Sequence, residues 1–164
     1  MSEITRVDAL AYEFFKCFST AEYALKASGF FDKNANHAQA DWDAFAREQK
    51  IIDLVGADFL NRPVRYILDN PPNKQVIDND TLSWSVSEPQ NKPECEKIFI
   101  YIRRVRNNLF HGGKLFRGGW LEPQRSVSLM MASIEIIEAA MNELDAVKIV
   151  YREAAKLPSE DGPQ

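Results

Sequence analysis

Ile98-Phe99-Ile100-Tyr101-Ile102-Arg103-Arg104-Val105-Arg106-Asn107-Asn108-Leu109-Phe110-His111-Gly112-Gly113 is the stretch on which the fold turns. At about 100° per residue, Ile98, Ile102, Val105 and Leu109 fall within about 60° of one another, a stripe that must face a core. The paired glycines stop the helix. Asn107 and His111 sit one turn apart on the outward face, within mutual reach. Arg106 lies beside Phe99 and Phe110, where its stem is expected to be covered and its guanidinium free. Arg106 and His111 are about 140° apart on the same wheel, so one straight helix does not aim both at a single phosphate. A second copy across a two-fold axis would bring the arginine of one subunit beside the histidine of the other. Phe99 and Phe110 are the apolar material for such an interface.

Histidine has the unperturbed pKa closest to cellular pH, and it is one of only two in the chain. A cation and an amide one turn away are the parts needed to hold and cleave a phosphodiester. Arg106, Asn107 and His111 are therefore the candidate catalytic residues. Unpaired carbonyls at the helix end attract a cationic ring and the nearby arginines repel it. The same run also reads as a solvated basic helix end.

Charge distribution narrows the ligand. From Lys97 to Leu121 there are six Lys and Arg and no Asp or Glu; the chain totals −4, so the remainder carries −10. A local basic patch on an acidic body suits a confined anion better than a long duplex. Cys17 and Cys95 are too few and too far apart for a disulfide framework or a zinc site, and neither histidine has metal-ligand spacing, so no metal is expected. No apolar run approaches membrane-spanning length and no signal-peptide pattern opens the chain, which leads to the expectation of a cytoplasmic protein with no membrane partner.

Outward from the basic helix, the pattern is helical almost throughout. Val7, Ala11, Phe14, Phe18, Ala21 and Leu25 form one face of a first helix closed near Gly29. Asp41 is a good N-cap for a second, carrying Trp42, Phe45, Ile52 and Val55. A short helix from Asn61 carries Val64, Ile67 and Leu68. Residues 70–93 break the rhythm: Leu82, Trp84 and Val86 alternate with serines, an extended segment within a long irregular connection. Trp84 either covers a cleft or pins this segment to the core, the second being favoured. A final long helix starts near Ser126 and runs to Tyr151. The chain is thus predicted to be all-α: an up-and-down bundle of four principal helices with a short extra one, a single domain over 1–156, and a disordered tail over 157–164.

Arg106-Asn107-Asn108-Leu109-Phe110-His111 resembles the signature of HEPN domains (higher eukaryotes and prokaryotes nucleotide-binding): an Arg, an adjacent polar residue, and a His after four to six intervening positions. The resemblance implies an all-α bundle, usually a homodimer, with the motifs of both subunits meeting in a cleft. Many members are metal-independent endoribonucleases in toxin–antitoxin, phage-defence or other stress systems; others are dimerisation or RNA-binding modules. By this resemblance His111 handles the proton of the ribose 2′-hydroxyl, Arg106 holds the phosphate, and Asn107 positions the histidine or binds substrate. Arg103, Arg104, Lys114 and Arg117 would guide the RNA backbone. No cofactor is implied; RNA, a second copy and a cognate antitoxin or regulatory protein are. Gly113 stands where one subset of family toxins has a Tyr two positions past the His, which sets the chain apart from the nucleotidyltransferase-paired type. Two other readings stand beside the nuclease: a non-catalytic dimeric module binding RNA, nucleotide or a partner protein, and a helical adaptor using the Trp84 segment.

Overall fold

A computed structural model describes residues 3–111, 115–116 and 119–156. Lys114, Arg117 and the segment 157–164 lie outside the described residues. Among those described, seven α-helices account for most of the chain, joined by two small antiparallel ladders.

Helix α1 (Glu3–Ala27) buries Val7, Phe14, Phe18, Ala21 and Leu25, the face its spacing predicts. Its end is closed at Gly29, whose φ of 94° few side chains tolerate. Phe30 N donates to Leu25 O at 2.9 Å and Gly29 N to Lys26 O at 3.3 Å, which satisfies two carbonyls of the last turn.

The second predicted helix is two. Helix α2 (Trp42–Ala46) is capped by Asp41, whose Oδ1 accepts from Ala44 N at 2.8 Å, and α3 (Gln49–Val55) follows after an extended Glu48. In an unbroken helix Ile51 would lie about 180° from Trp42. The break rotates the stripe, so that Ile51 is buried and Ile52, expected inside, is exposed. A single 3-10 turn leads into α4 (Asn61–Asp69), which buries Pro63, Val64 and Ile67.

Residues 70–93 are less irregular than the sequence suggests. Strands β1 (Lys74–Asp78) and β2 (Thr81–Ser85) pair antiparallel from Lys74↔Ser85 to Asp78↔Thr81. Asn79 and Asp80 join them with φ values of 47° and 59°, the left-handed pair that a two-residue hairpin turn requires. Trp84 is 39% exposed and lines a small recess with Pro72 and the core residue Leu129.

Helix α5 (Glu94–Phe110) carries the basic run and packs chiefly on α2 and α4. Ile98, Ile102 and Val105 are buried and Leu109 packs against the same core, as the wheel requires. Phe99, assigned to an interface by its place beside Arg106, is instead fully buried. It stacks on Trp42 at 5.6 Å and meets Phe45 edge-on. The aromatic face of α2 supplies its partner, which no local pattern in α5 reveals.

A second ladder, β3 (Leu115–Phe116) with β4 (Gly119–Trp120), precedes α6 (Pro123–Met141). The last helix, expected as one from Ser126, begins at Pro123 and breaks before α7 (Asp145–Ala155). Asn142 Nδ2 donates to Glu138 O at 2.7 Å and its Oδ1 accepts from Arg152, side-chain bonds that compete with continuing the helix. Both α6 and α7 lie against α1, and α4 packs on α6. The buried residues of these helices form one continuous core. No helix of the described residues is long and apolar enough to cross a membrane.

Candidate functional site

The C-terminal two turns of α5 and the start of β1 enclose an open groove of about 470 Å³. His111 forms the C-cap of α5, its backbone N–H donating to Asn107 O at 2.9 Å. Both side chains line the groove, as their spacing predicts, and both are exposed. Arg103 and Arg104 form another part of the wall, Lys74 and Gln75 of β1 the facing part. No carboxylate is among the lining residues. Such a surface favours an anion and offers amides for its oxygens.

Arg106 does not line the groove. Its guanidinium lies over the ring of Phe110 at 5.2 Å and that of Phe18 at 5.7 Å, where cation–π attraction holds it. It reaches round to the site through one contact: Nη1 donates to Asn107 Oδ1 at 3.0 Å. The amide is thereby oriented with its oxygen toward Arg106. Next to this arginine, Phe110 and Phe15 of α1 pair at 5.3 Å, and both are exposed. The exposed apolar pair at this end of α5 is thus Phe110 with Phe15, and not Phe110 with Phe99.

The flanking arginines differ in how they are held. Arg103 Nη2 donates to Asp43 Oδ1 at 2.6 Å. Asp43 Oδ2 takes Lys92 at 3.0 Å, Lys92 also bonds Glu96 at 2.6 Å, and Glu96 takes Arg47 at 2.8 Å. Burial works against the ionised Asp43, but the hydrogen bonds and charges of Lys92 and Arg103 prevail and hold its carboxyl below the ordinary range. Glu96, only 4% exposed, is held low by Arg47 first and Lys92 second. Arg104 donates to Ser87 O at 2.8 Å and lies over the Tyr101 ring.

Three contributors escape a reading of the sequence. Lys74 and Gln75 reach the groove because the hairpin folds back on α5, and the turn that folds it carries no glycine to signal it. Asn108, buried among apolar neighbours, donates Nδ2 to Asn73 O at 2.9 Å and fixes the start of β1.

Among the described residues, no group of three or more His, Cys, Asp or Glu could hold a metal ion. Cys17 and Cys95 are buried, and burial pushes the Cys17 thiol up to about 11, far from a reactive thiolate. Comparison of the chain with protein-family models, with curated proteins and with solved structures found no match.

Proposed function

We propose that this chain is a HEPN-like, metal-independent endoribonuclease that cleaves RNA by attack of the ribose 2′-hydroxyl at a site shared by two subunits. The observation that carries this reading is the groove that Asn107 and His111 line together with Lys74, Arg103 and Arg104 and with no carboxylate. His111 takes the 2′ proton or returns one to the leaving oxygen. A guanidinium spreads its charge over the developing phosphorane, the role given to Arg106. Asn107 couples the two, since its amide touches Arg106 and its side chain shares the groove with the histidine.

Within one subunit Arg106 faces the aromatic patch and not the groove. The homodimer in this proposal resolves that separation. Phe15 and Phe110 offer an apolar face around which a two-fold axis brings the partner's groove to Arg106. The bundle is read as HEPN-like on the same grounds, with α5 as the motif helix and the pair α6–α7 following it. A toxin or defence role, under control of an antitoxin or regulatory protein, accompanies the reading.

The test is cleavage of single-stranded and structured RNA in EDTA. Wild type is expected to leave 2′,3′-cyclic phosphate ends and to spare DNA, and His111→Ala is expected to lose about 100-fold or more of the rate with an unchanged circular dichroism spectrum. Arg106→Ala should fall alongside it. Sedimentation should find a dimer that Phe15→Ser weakens. Cleavage that persists in either active-site variant defeats the proposal.

A second reading is favoured by one observation: the guanidinium of Arg106 is already engaged by Asn107 and by two rings. This suits a non-catalytic dimeric module that binds RNA, nucleotide or a partner protein, and it predicts retention of RNA without cleavage.

A further inference from the structure

The HEPN resemblance implies an RNA-backbone role for Arg103, Arg104, Lys114 and Arg117, all near the motif. The hairpin rearranges that assignment. We infer that Lys74, at the first position of β1, is the principal phosphate anchor of the groove, and that Arg103 is held back from this role by Asp43. The inference rests on reading the groove as an RNA-backbone site and deepens it.

Two sets of contacts carry the argument. The ammonium of Lys74 makes no hydrogen bond or ion pair among the described residues, and its exposed side chain lines the same groove as Asn107 and His111. Its backbone is nevertheless fixed. Asn108 holds Asn73 O at 2.9 Å on one side of the hairpin and Arg104 holds Ser87 O at 2.8 Å on the other. A free cation on an anchored strand gives up only side-chain freedom when it meets a phosphate.

Arg103 is placed differently. Its 2.6 Å pair with Asp43 is the last link of the chain Arg47–Glu96–Lys92–Asp43–Arg103. A phosphate drawn to its remaining N–H groups would meet a guanidinium whose charge is already compensated, with the Asp43 carboxylate facing the new anion. Arg104 lies between these extremes: one nitrogen is used by Ser87 O, and stacking on Tyr101 keeps the plane in position for a fixed contact. The groove therefore grips a phosphodiester from the hairpin wall, opposite the helix that carries His111, and the scissile linkage is held between the two.

Two probes test this. One is inorganic tripolyphosphate, which reports the anion site alone; the other is a 2′-O-methyl RNA oligonucleotide, which cannot be cleaved and reports the RNA reading. Lys74→Ala is expected to raise the Kd for the oligonucleotide about 5- to 10-fold and to flatten its dependence on log salt by about one charge. Lys74→Arg should restore most of the affinity. Arg103→Ala should change Kd less than about 2-fold, because the residue it removes is already neutralised. Asp43→Asn should strengthen binding by releasing Arg103. Circular dichroism of each variant checks that the bundle is intact.

Weaker tripolyphosphate binding by Lys74→Ala, with no oligonucleotide bound by wild type, would keep the anchor and defeat the RNA reading. If Lys74→Ala matches wild type with both probes, or if Arg103→Ala costs as much, the inference is overturned. A wild-type protein that binds neither probe overturns both.

Discussion

The two halves of α5 handle charge in opposite ways. In its first half every long cation nearby has a carboxylate: Arg47 and Lys92 meet Glu96, and Lys92 meets Asp43. Phe99 is locked there between Trp42 and Phe45. In its second half the amides and the imidazole face a groove with no acid in its walls, and Phe110 stays exposed. Arg103 stands at the boundary and belongs electrically to the closed half. A basic residue is thus made structural or available by what the rest of the chain places opposite it, and proximity in sequence to a motif does not decide which.

The contrast breaks most severely at the closed end. Phe99→Ala removes a fully buried ring from a stack of three and is expected to cost about 3 to 5 kcal/mol, read as a lower denaturant midpoint at constant slope. Loss of a much smaller amount would mean that α2 does not seal this half as described.

At the open end, Asn108→Ala leaves Asn73 O without its partner and is expected to cost about 1 to 3 kcal/mol. Its larger effect should fall on ligand binding, because the wall carrying Lys74 loses a tether. Affinity that falls no further than stability would show that the hairpin needs no such hold.

The smallest effect sharpens the electrostatic side of the comparison. The Glu96 carboxyl is held below its usual value of 4.5, chiefly by Arg47 and then by Lys92. Its stabilisation is therefore complete above 4.5 and is lost as pH falls through the lower folded value. Tm should drop on acidification in this window. In Glu96→Gln, Tm should be lower near neutrality and should converge with wild type in acid. Parallel curves for the two proteins would remove Glu96 from the account.

Much of this arrangement is visible in the residues themselves. The stripe Ile98, Ile102, Val105 and Leu109 needs only helical periodicity to declare itself, and Gly29 and Asp41 mark helix ends by backbone and capping chemistry. Placing Asn107 and His111 on one face follows from the same period. What stays hidden depends on pairs far apart in the chain. Arg103 finds Asp43 sixty positions away and Phe99 finds Trp42, and neither helix advertises the other. The breaks at Glu48 and after Met141 are concealed because apolar residues on both sides also fit one continuous helix. The hairpin is missed for a chemical reason: its turn is Asn79-Asp80, both able to adopt left-handed backbone without glycine.

One feature of the core has a practical corollary in optical spectroscopy. Trp42 is 1% exposed, sandwiched between Phe18 and Phe99, with its indole N–H on Glu22, whereas Trp84 stands 39% exposed on the hairpin. Once Trp120 is exchanged for phenylalanine, the remaining indoles should emit at separate wavelengths, the shorter from the sealed ring and the longer from the wet one. Acrylamide should quench the second first. A single cuvette then distinguishes melting of the bundle from events at the hairpin.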